Sequence, residues 1–447
     1  MSLKPILIKN ALIINEGQSF TGDLLIKNNH IEQISSQGIS DNNYEVIDAD
    51  GLWLIPGVID DQVHFREPGM THKATIATES AAAVAGGTTT FMEMPNTFPN
   101  AVTQELLEQK YEIAKHCSPA NYSFFMGTTN SNLEEVLKTD SKTVCGVKVF
   151  MGSSTGDMLV DNPYALEQLF SKCELLIATH CEDEATIIKN TQHYIGQYGE
   201  NLSARFHPEI RSREACLLSS SFAVQLANKF NTRLHVYHVS TKDEIALFVN
   251  DIPLSDKRIT AEVCVHHLTF NANDYERLGH KIKCNPAIKE EDDRLALWKA
   301  LNDNLLDIVA TDHAPHTLDE KNNAYLKAPS GLPLVQHSLL QMLDHSKNGM
   351  ITIERLVEKM CHAPADCFKV VSRGYLREGY FADLVLINPN QKYTVTKDNI
   401  LYKCGWSPFE DTTFSSSIHS TFVNGKKVFD GSRVNTDSLG MRLAFDR

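Results

Sequence analysis

Apolar and polar positions alternate on three different rhythms along this chain. At the N-terminal end short apolar runs, Pro5-Ile6-Leu7-Ile8 and Asp23-Leu24-Leu25-Ile26, are cut by Asn15-Glu16-Gly17 and Lys27-Asn28-Asn29. Brief apolar runs between Asn/Gly turns predict β-hairpins. The pattern returns near the other end, in Ala382-Asp383-Leu384-Val385-Leu386-Ile387 and in Thr421 to Phe429, where Asn424-Gly425 is a two-residue hairpin turn. The two ends, residues 1–54 and 371–447, are expected to combine into one small β-sandwich domain. Between them, apolar strand-like runs at 53–59, 88–94, 121–126, 146–151, 175–179, 233–238, 259–263 and 307–310 alternate with helical patterns such as 131–137, 213–230 and 294–303. That rhythm predicts an α/β fold, a (β/α)8 TIM-type barrel over residues 55–370. A doubly wound open sheet is the alternative, and no Gly-x-Gly-x-x-Gly fingerprint supports it.

Composition narrows the partners. A formal charge of −14 disfavours nucleic acid and anionic membrane surfaces, while leaving room for a local positive pocket. No apolar stretch is long enough to span a bilayer. The stretch Met1 to Ile8 lacks the apolar core and cleavage site of a signal peptide. The ten cysteines are scattered without a Cys-x-x-Cys pair, and Cys145, Cys181 and Cys264 read as small buried residues. A reducing cytoplasm is the expected location.

The candidate chemistry sits at the strand ends, where a barrel places its catalytic groups. In Ile308-Val309-Ala310-Thr311-Asp312-His313-Ala314-Pro315-His316 an apolar strand delivers a carboxylate, followed by two histidines on a Pro-containing turn. An ionised carboxylate at an apolar strand tip calls for a cation or a proton-transfer task; the plain alternative is a helix cap. The first strand ends in Asp60-Asp61-Gln62-Val63-His64-Phe65-Arg66, the second in Met94-Pro95-Asn96-Thr97, the fifth in Thr179-His180-Cys181-Glu182 and the sixth in Tyr237-His238. The fourth carries Lys148 among apolar residues. Singly, a strand-end histidine is an ordinary core residue and a lysine snorkels. Facing one opening, His64, Lys148, His180, His238 and Asp312 form a donor set suited to zinc. Arg66 offers a planar fork for a carboxylate, or else pairs with Glu67; Asn96 is a substrate contact or a turn residue. His266 and His267 read as packing or supporting groups. Ser330-Gly331-Leu332-Pro333 and Ser153-Ser154-Thr155-Gly156 read as loops beside the opening.

From about Leu54 to Gly431 the chain resembles the dihydroorotases of the amidohydrolase superfamily, type I-like. The resemblance is carried by Ala310-Thr311-Asp312-His313-Ala314-Pro315-His316, His64-Phe65-Arg66-Glu67-Pro68-Gly69, Met94-Pro95-Asn96-Thr97, Val263-Cys264-Val265-His266-His267-Leu268, Cys284-Asn285-Pro286 and Cys404-Gly405-Trp406-Ser407-Pro408-Phe409. It implies reversible cyclisation of N-carbamoyl-L-aspartate to dihydroorotate in pyrimidine biosynthesis. It implies one or two zinc ions held by His64, His180, His238, a carboxylated Lys148 and Asp312, with Asp312 also shuttling the proton. It implies Arg66, Asn96 and His316 on the substrate carboxylate, Asn285 on the ring, and a homodimer. One position departs from the family: Gln62 stands where the first His of His-x-His is usual. An amide oxygen is a weaker zinc ligand, so one metal is loose, absent, or rebuilt with Asp60 or Asp61. Two alternatives stay open, another cyclic amidase of allantoinase or dihydropyrimidinase type, and a non-catalytic partner of a pyrimidine enzyme.

Overall fold

The computed structural model describes residues 4–152 and 158–447. Met1 to Leu3 and the expected loop Ser153-Ser154-Thr155-Gly156 lie outside the described residues. The chain begins with β1 (Ile6–Asn15), β2 (Gln18–Lys27), β3 (His30–Ser35), β4 (Glu45–Asp48) and β5 (Trp53–Pro56). Glu16 and Gly17 both take left-handed backbone, φ 50° and 72°, as a two-residue hairpin turn requires.

The apolar run expected as a single strand at 53–59 is two strands serving different sheets. Gly57 divides them: its N–H donates to the Asp383 carbonyl, and a Cβ there would lie 2.1 Å from Thr89 Oγ1. Beyond it come β6 (Val58–Val63), β7 (Thr88–Glu93), β8 (Asn121–Phe124), β9 (Met126–Gly127), β10 (Val147–Phe150), β11 (Ile177–His180), β12 (Leu234–Val236), β13 (Ile259–Cys264) and β14 (Ile308–Ala310). All their pairings are parallel, in the orders β6-β7-β8 and β9-β10-β11-β12-β13-β14. Only Phe125 separates β8 from β9. Past the end of β14, His313 bridges Val63 in parallel, and the His64 N–H donates to the His313 carbonyl at 2.7 Å. Apart from Ile259, these strand residues are buried, as parallel strands covered on both faces must be.

The helices between them follow the polar pattern. Arg213–Phe230 spans its expected range, capped by the Ser212 side chain. The helix expected at 294–303 starts earlier, Glu291–Asn302, with three acidic residues in its first turn where the helix dipole favours them. The helix expected at 131–137 shrinks to Leu133–Val136. Asn132 does not cap it, because its side chain accepts from Thr129 N and donates to the Val102 and Gly127 carbonyls. No described helix is long and apolar enough to cross a membrane.

The chain closes with β15 (Leu384–Asn388), β16 (Tyr393–Thr394), β17 (Thr413–Phe414), β18 (Ser417–Val423) and β19 (Lys426–Phe429). Both ends share one eight-stranded sheet, β19-β18-β15-β5-β1-β2-β3, with β4 on β1. A bulge in β1 at Asn10, φ 62°, divides the sheet; Ile6 to Lys9 pair with β4, Leu12 and Ile13 with β5. Ile8, Leu24, Ile31, Leu54, Leu384 and Phe422 from both chain ends meet in one core. Asn424 and Gly425 form the expected left-handed turn, and a Cβ on Gly425 would lie 2.3 Å from the Asn28 carbonyl oxygen.

Candidate active site

One half of the site grows from β10, β11 and the end of β12. His180 closes β11, and His238 follows β12 with a left-handed backbone, φ 40°. That conformation costs on the order of 1–3 kcal/mol in a non-glycine residue and persists only where the surroundings enforce it. His180 Nδ1 and His238 Nε2 lie 2.9 Å apart. The other His180 nitrogen donates to Glu182 at 3.0 Å, which leaves the Nδ1 lone pair facing His238. Burial would raise the Glu182 carboxyl, but Arg211 and His180 overcome it and hold it at about 2. Burial keeps both imidazoles below their usual range, reinforced at His238 by the neighbouring His180 and Lys148. They are therefore neutral, the state in which imidazole ligates a metal.

Lys148, on β10, is 1% exposed, and its Nζ has no hydrogen-bond partner. It sits 4.0 Å from the Tyr237 ring centroid and 4.9 Å from that of Phe150. Burial lowers its amine to about 7 against the pull of Glu262 and Asp312. An orphaned, buried amine of this kind is suited to take up CO2 with release of one proton, giving a carbamate whose single negative charge is shared by two oxygens.

The second half joins the tips of β6 and β14. His64 donates from Nδ1 to the Asn96 side-chain oxygen at 2.7 Å, and its Nε2 lies 3.1 Å from Asp312 Oδ1. Asp312 has a left-handed backbone, φ 48°. Burial opposes its ionisation, yet His64 holds its carboxyl below the usual range. Gln62 does not join them: its side-chain oxygen accepts from the Cys264 thiol at 3.7 Å. Asp60 accepts the Thr311 hydroxyl at 2.6 Å and the N–H groups of Thr311 and Gln62, and burial pushes it up to about 7. Asp61 faces His235 and Glu262. Next to Gln62, the donor atoms of Cys264, His266 and His267 lie within 4.8 Å of one another. His267 donates from Nε2 to the Pro286 carbonyl.

A cationic corner adjoins this half. Arg66, φ 65° and 6% exposed, donates from Nε to the Pro315 carbonyl at 3.2 Å, and its Nη2 lies 3.1 Å from His316 Nε2. Glu67 accepts from the Ile76 N–H at 2.8 Å. The Lys73 ammonium donates to His316 Nδ1 at 3.0 Å, so Nε2 carries the ring proton and donates to the Ser330 carbonyl. Burial, with Arg66 and Lys73 alongside, holds His316 far below its usual range. Trp406 fixes the His316 carbonyl at 2.7 Å. Asn285 is half-buried between Cys284 and Pro286. His313 is structural: it joins Glu79 and accepts from the Leu334 N–H.

The fold thus gathers His180 with His238, His64 with Asp312 and Asn96, and Arg66 with His316, with Lys148 in electrostatic reach of both Asp312 and His238. Sequence reasoning missed three supporting residues. Glu182 stood in the fifth strand tip as a residue without a role. Lys73 and Arg211 carry no local signal, since their partners lie 243 and 29 residues away.

Comparison with known proteins places this architecture. Residues 53–428, from the start of β5 into β19, match the Amidohydrolase family. This chain belongs to the amidohydrolase family. Among curated amidohydrolase relatives, a dihydroorotase of Bacillus pumilus is 33% identical over 96% of this chain and 99% of its own length. A dihydroorotase of Methanosarcina acetivorans is 31% identical over 90% of this chain and 87% of its own. An allantoinase of Bacillus velezensis is 30% identical over 98% and 97%. Among solved structures, an L-hydantoinase (dihydropyrimidinase) of Arthrobacter aurescens superposes with a TM-score of 0.91 at 25% identity, covering 99% of this chain and 100% of that one.

Proposed function

We propose that this amidohydrolase is a metal-dependent cyclic amide hydrolase of dihydroorotase type, forming dihydroorotate reversibly from N-carbamoyl-L-aspartate. The observation that carries the reading is the convergence of neutral His180 and His238, the His64–Asp312 pair and unpartnered Lys148 beside a cationic corner. The parallel strands are read as one closed (β/α)8 barrel over residues 55–370, and the end-built sheet as a separate β-sandwich domain of residues 1–54 and 371–447. A homodimer in the cytoplasm, acting on a small molecule, belongs to the same reading.

The donor set fits zinc: His180, His238 and a carboxylated Lys148 would hold one ion, and His64 and Asp312, with Lys148 shared, a second. When bound, zinc polarises the amide carbonyl and lowers the pKa of bound water to about 7. Asp312 is the group that moves the proton, since its carboxylate lies at the tip of β14 where water and the ring nitrogen would meet. Arg66 grips the substrate carboxylate, and His316, kept neutral by burial with Arg66 and Lys73 alongside, borders it. Asn96 acts through His64 by fixing its tautomer, with its amide group toward the substrate, and Asn285 borders the ring.

A second reading, a hydantoinase or allantoinase, is favoured by the Arthrobacter structure and the Bacillus velezensis relative. The purified chain, supplied with zinc, separates the two. Cyclisation of carbamoyl-aspartate is expected to exceed hydrolysis of allantoin or hydantoin by at least tenfold. The reverse order would transfer the assignment to the second reading.

A further inference from the structure

Below His238 the parallel strands enclose a second cluster of metal-binding side chains. Asp61 on β6, His235 on β12 and Glu262 on β13 are each 0% exposed. One nitrogen, His235 Nε2, faces both carboxylates, 3.4 Å from Asp61 Oδ2 and 3.3 Å from Glu262 Oε2. Charge-assisted hydrogen bonds are shorter, about 2.7–2.9 Å. Two zinc ligands, nitrogen and oxygen at their normal bond lengths and a tetrahedral angle, stand about 3.3–3.5 Å apart.

The surrounding bonds leave room for an ion in place of the Nε2 proton. The Thr260 hydroxyl donates to the Leu234 carbonyl and accepts from His235 Nδ1 at 2.8 Å. This tautomer turns the bare Nε2 lone pair towards two carboxylates, the orientation a metal-ligating imidazole receives from its supporting partner. Protonation of Nε2 would supply one N–H for two acceptors. Neither Asp61 oxygen receives a hydrogen bond, although both are buried. A dry carboxylate without donors costs several kcal/mol or more unless a cation faces it. A divalent ion would neutralise both carboxylates at once.

We propose that Asp61, His235 and Glu262 form a buried site for a divalent transition-metal ion, separate from the ligands at the mouth. Its role is structural. Glu262 Oε1 accepts from the His238 N–H at 3.2 Å, and the Tyr237 hydroxyl donates to the Asp61 carbonyl at 3.2 Å. An ion there ties β6, β12 and β13 together directly beneath the left-handed turn at His238.

The test uses the full chain purified with zinc. An anomalous-difference map collected at the zinc edge is expected to show a peak bounded by Asp61, His235 and Glu262. Asp61→Asn, an isosteric change, is expected to lose one equivalent of zinc per chain by elemental analysis. His180→Ala is expected to keep the peak, so a failure of the mouth ligands is distinguishable from a failure of this site. An empty position in the wild-type map overturns the proposal even if Asp61→Asn does not fold, and so does an Asp61→Asn variant with undiminished zinc.

Discussion

The two halves of the mouth are built from the same kinds of residue to different standards. Around His180 the orienting contacts are in place: Glu182 sets its tautomer, Arg211 backs Glu182, and Lys148 lies on the neighbouring strand, whereas His238 Nδ1 is buried without a hydrogen-bond partner. Around His64 and Asp312, Gln62 stands where the resembling family usually has a ligating His, and its side chain turns to Cys264. The comparison teaches that the first half is braced by a carboxylate and an arginine behind one imidazole, while the second rests on the single His64–Asp312 contact and Asn96.

The largest effect is expected at Asp312, the proton carrier of the proposed reaction. Asp312→Ala is expected to lower carbamoyl-aspartate turnover by about 10²–10⁴-fold with an unchanged circular dichroism spectrum. Near-normal turnover would reduce the second half to a structural feature. Next comes the asymmetry itself. Glu182→Gln is expected to weaken zinc binding by about 10–100-fold in a chelator competition, the range for loss of a group that orients a ligand. Gln62→Ala is expected to change it little; equal losses would show that the halves share the ion equally. Arg66→Met is expected to raise KM by about tenfold or more while kcat holds, as loss of a charge-assisted clamp does. A kcat loss at constant KM would place Arg66 in the chemical step.

The smallest effect is a control outside both halves. Burial holds His337 at about 3, far below the usual imidazole value. The unfolded chain takes up that proton near pH 6.5 and the folded chain does not. Stability is therefore unaffected above that pH and declines as the pH falls from 6.5 towards 3, by up to about 1.4 kcal/mol per unit. His337→Gln is expected to flatten that acid limb in urea titrations without changing the ratio of zinc affinities between the halves.

Much of this was legible because apolar strands ending in a polar residue advertise their tips. His64, His180, His238 and Asp312 stand at such tips, Lys148 stands inside a strand among apolar residues, and the strand–helix rhythm points to their scaffold. The break at Gly57 was hidden inside a continuous apolar run, although Pro56-Gly57 is itself a turn signal. The left-handed turns at Arg66, His238 and Asp312 have no sequence signature, because non-glycine residues adopt that backbone in only about a few per cent of cases and tertiary contacts decide which. Lys73 and Arg211 act across folds of the chain, which no local pattern reports. The partner of Gln62 lies 202 residues away, so the sequence showed the missing imidazole but not where the amide would turn.

The most direct test of the central claim is carbamoyl-aspartate cyclisation by chain stripped of metal and then restored with zinc, compared with His180→Ala treated identically. The account expects zinc to restore turnover to the wild-type chain and leave His180→Ala at least a hundredfold slower. Equal turnover in the two, or none on carbamoyl-aspartate, allantoin or hydantoin at full zinc occupancy, would contradict it.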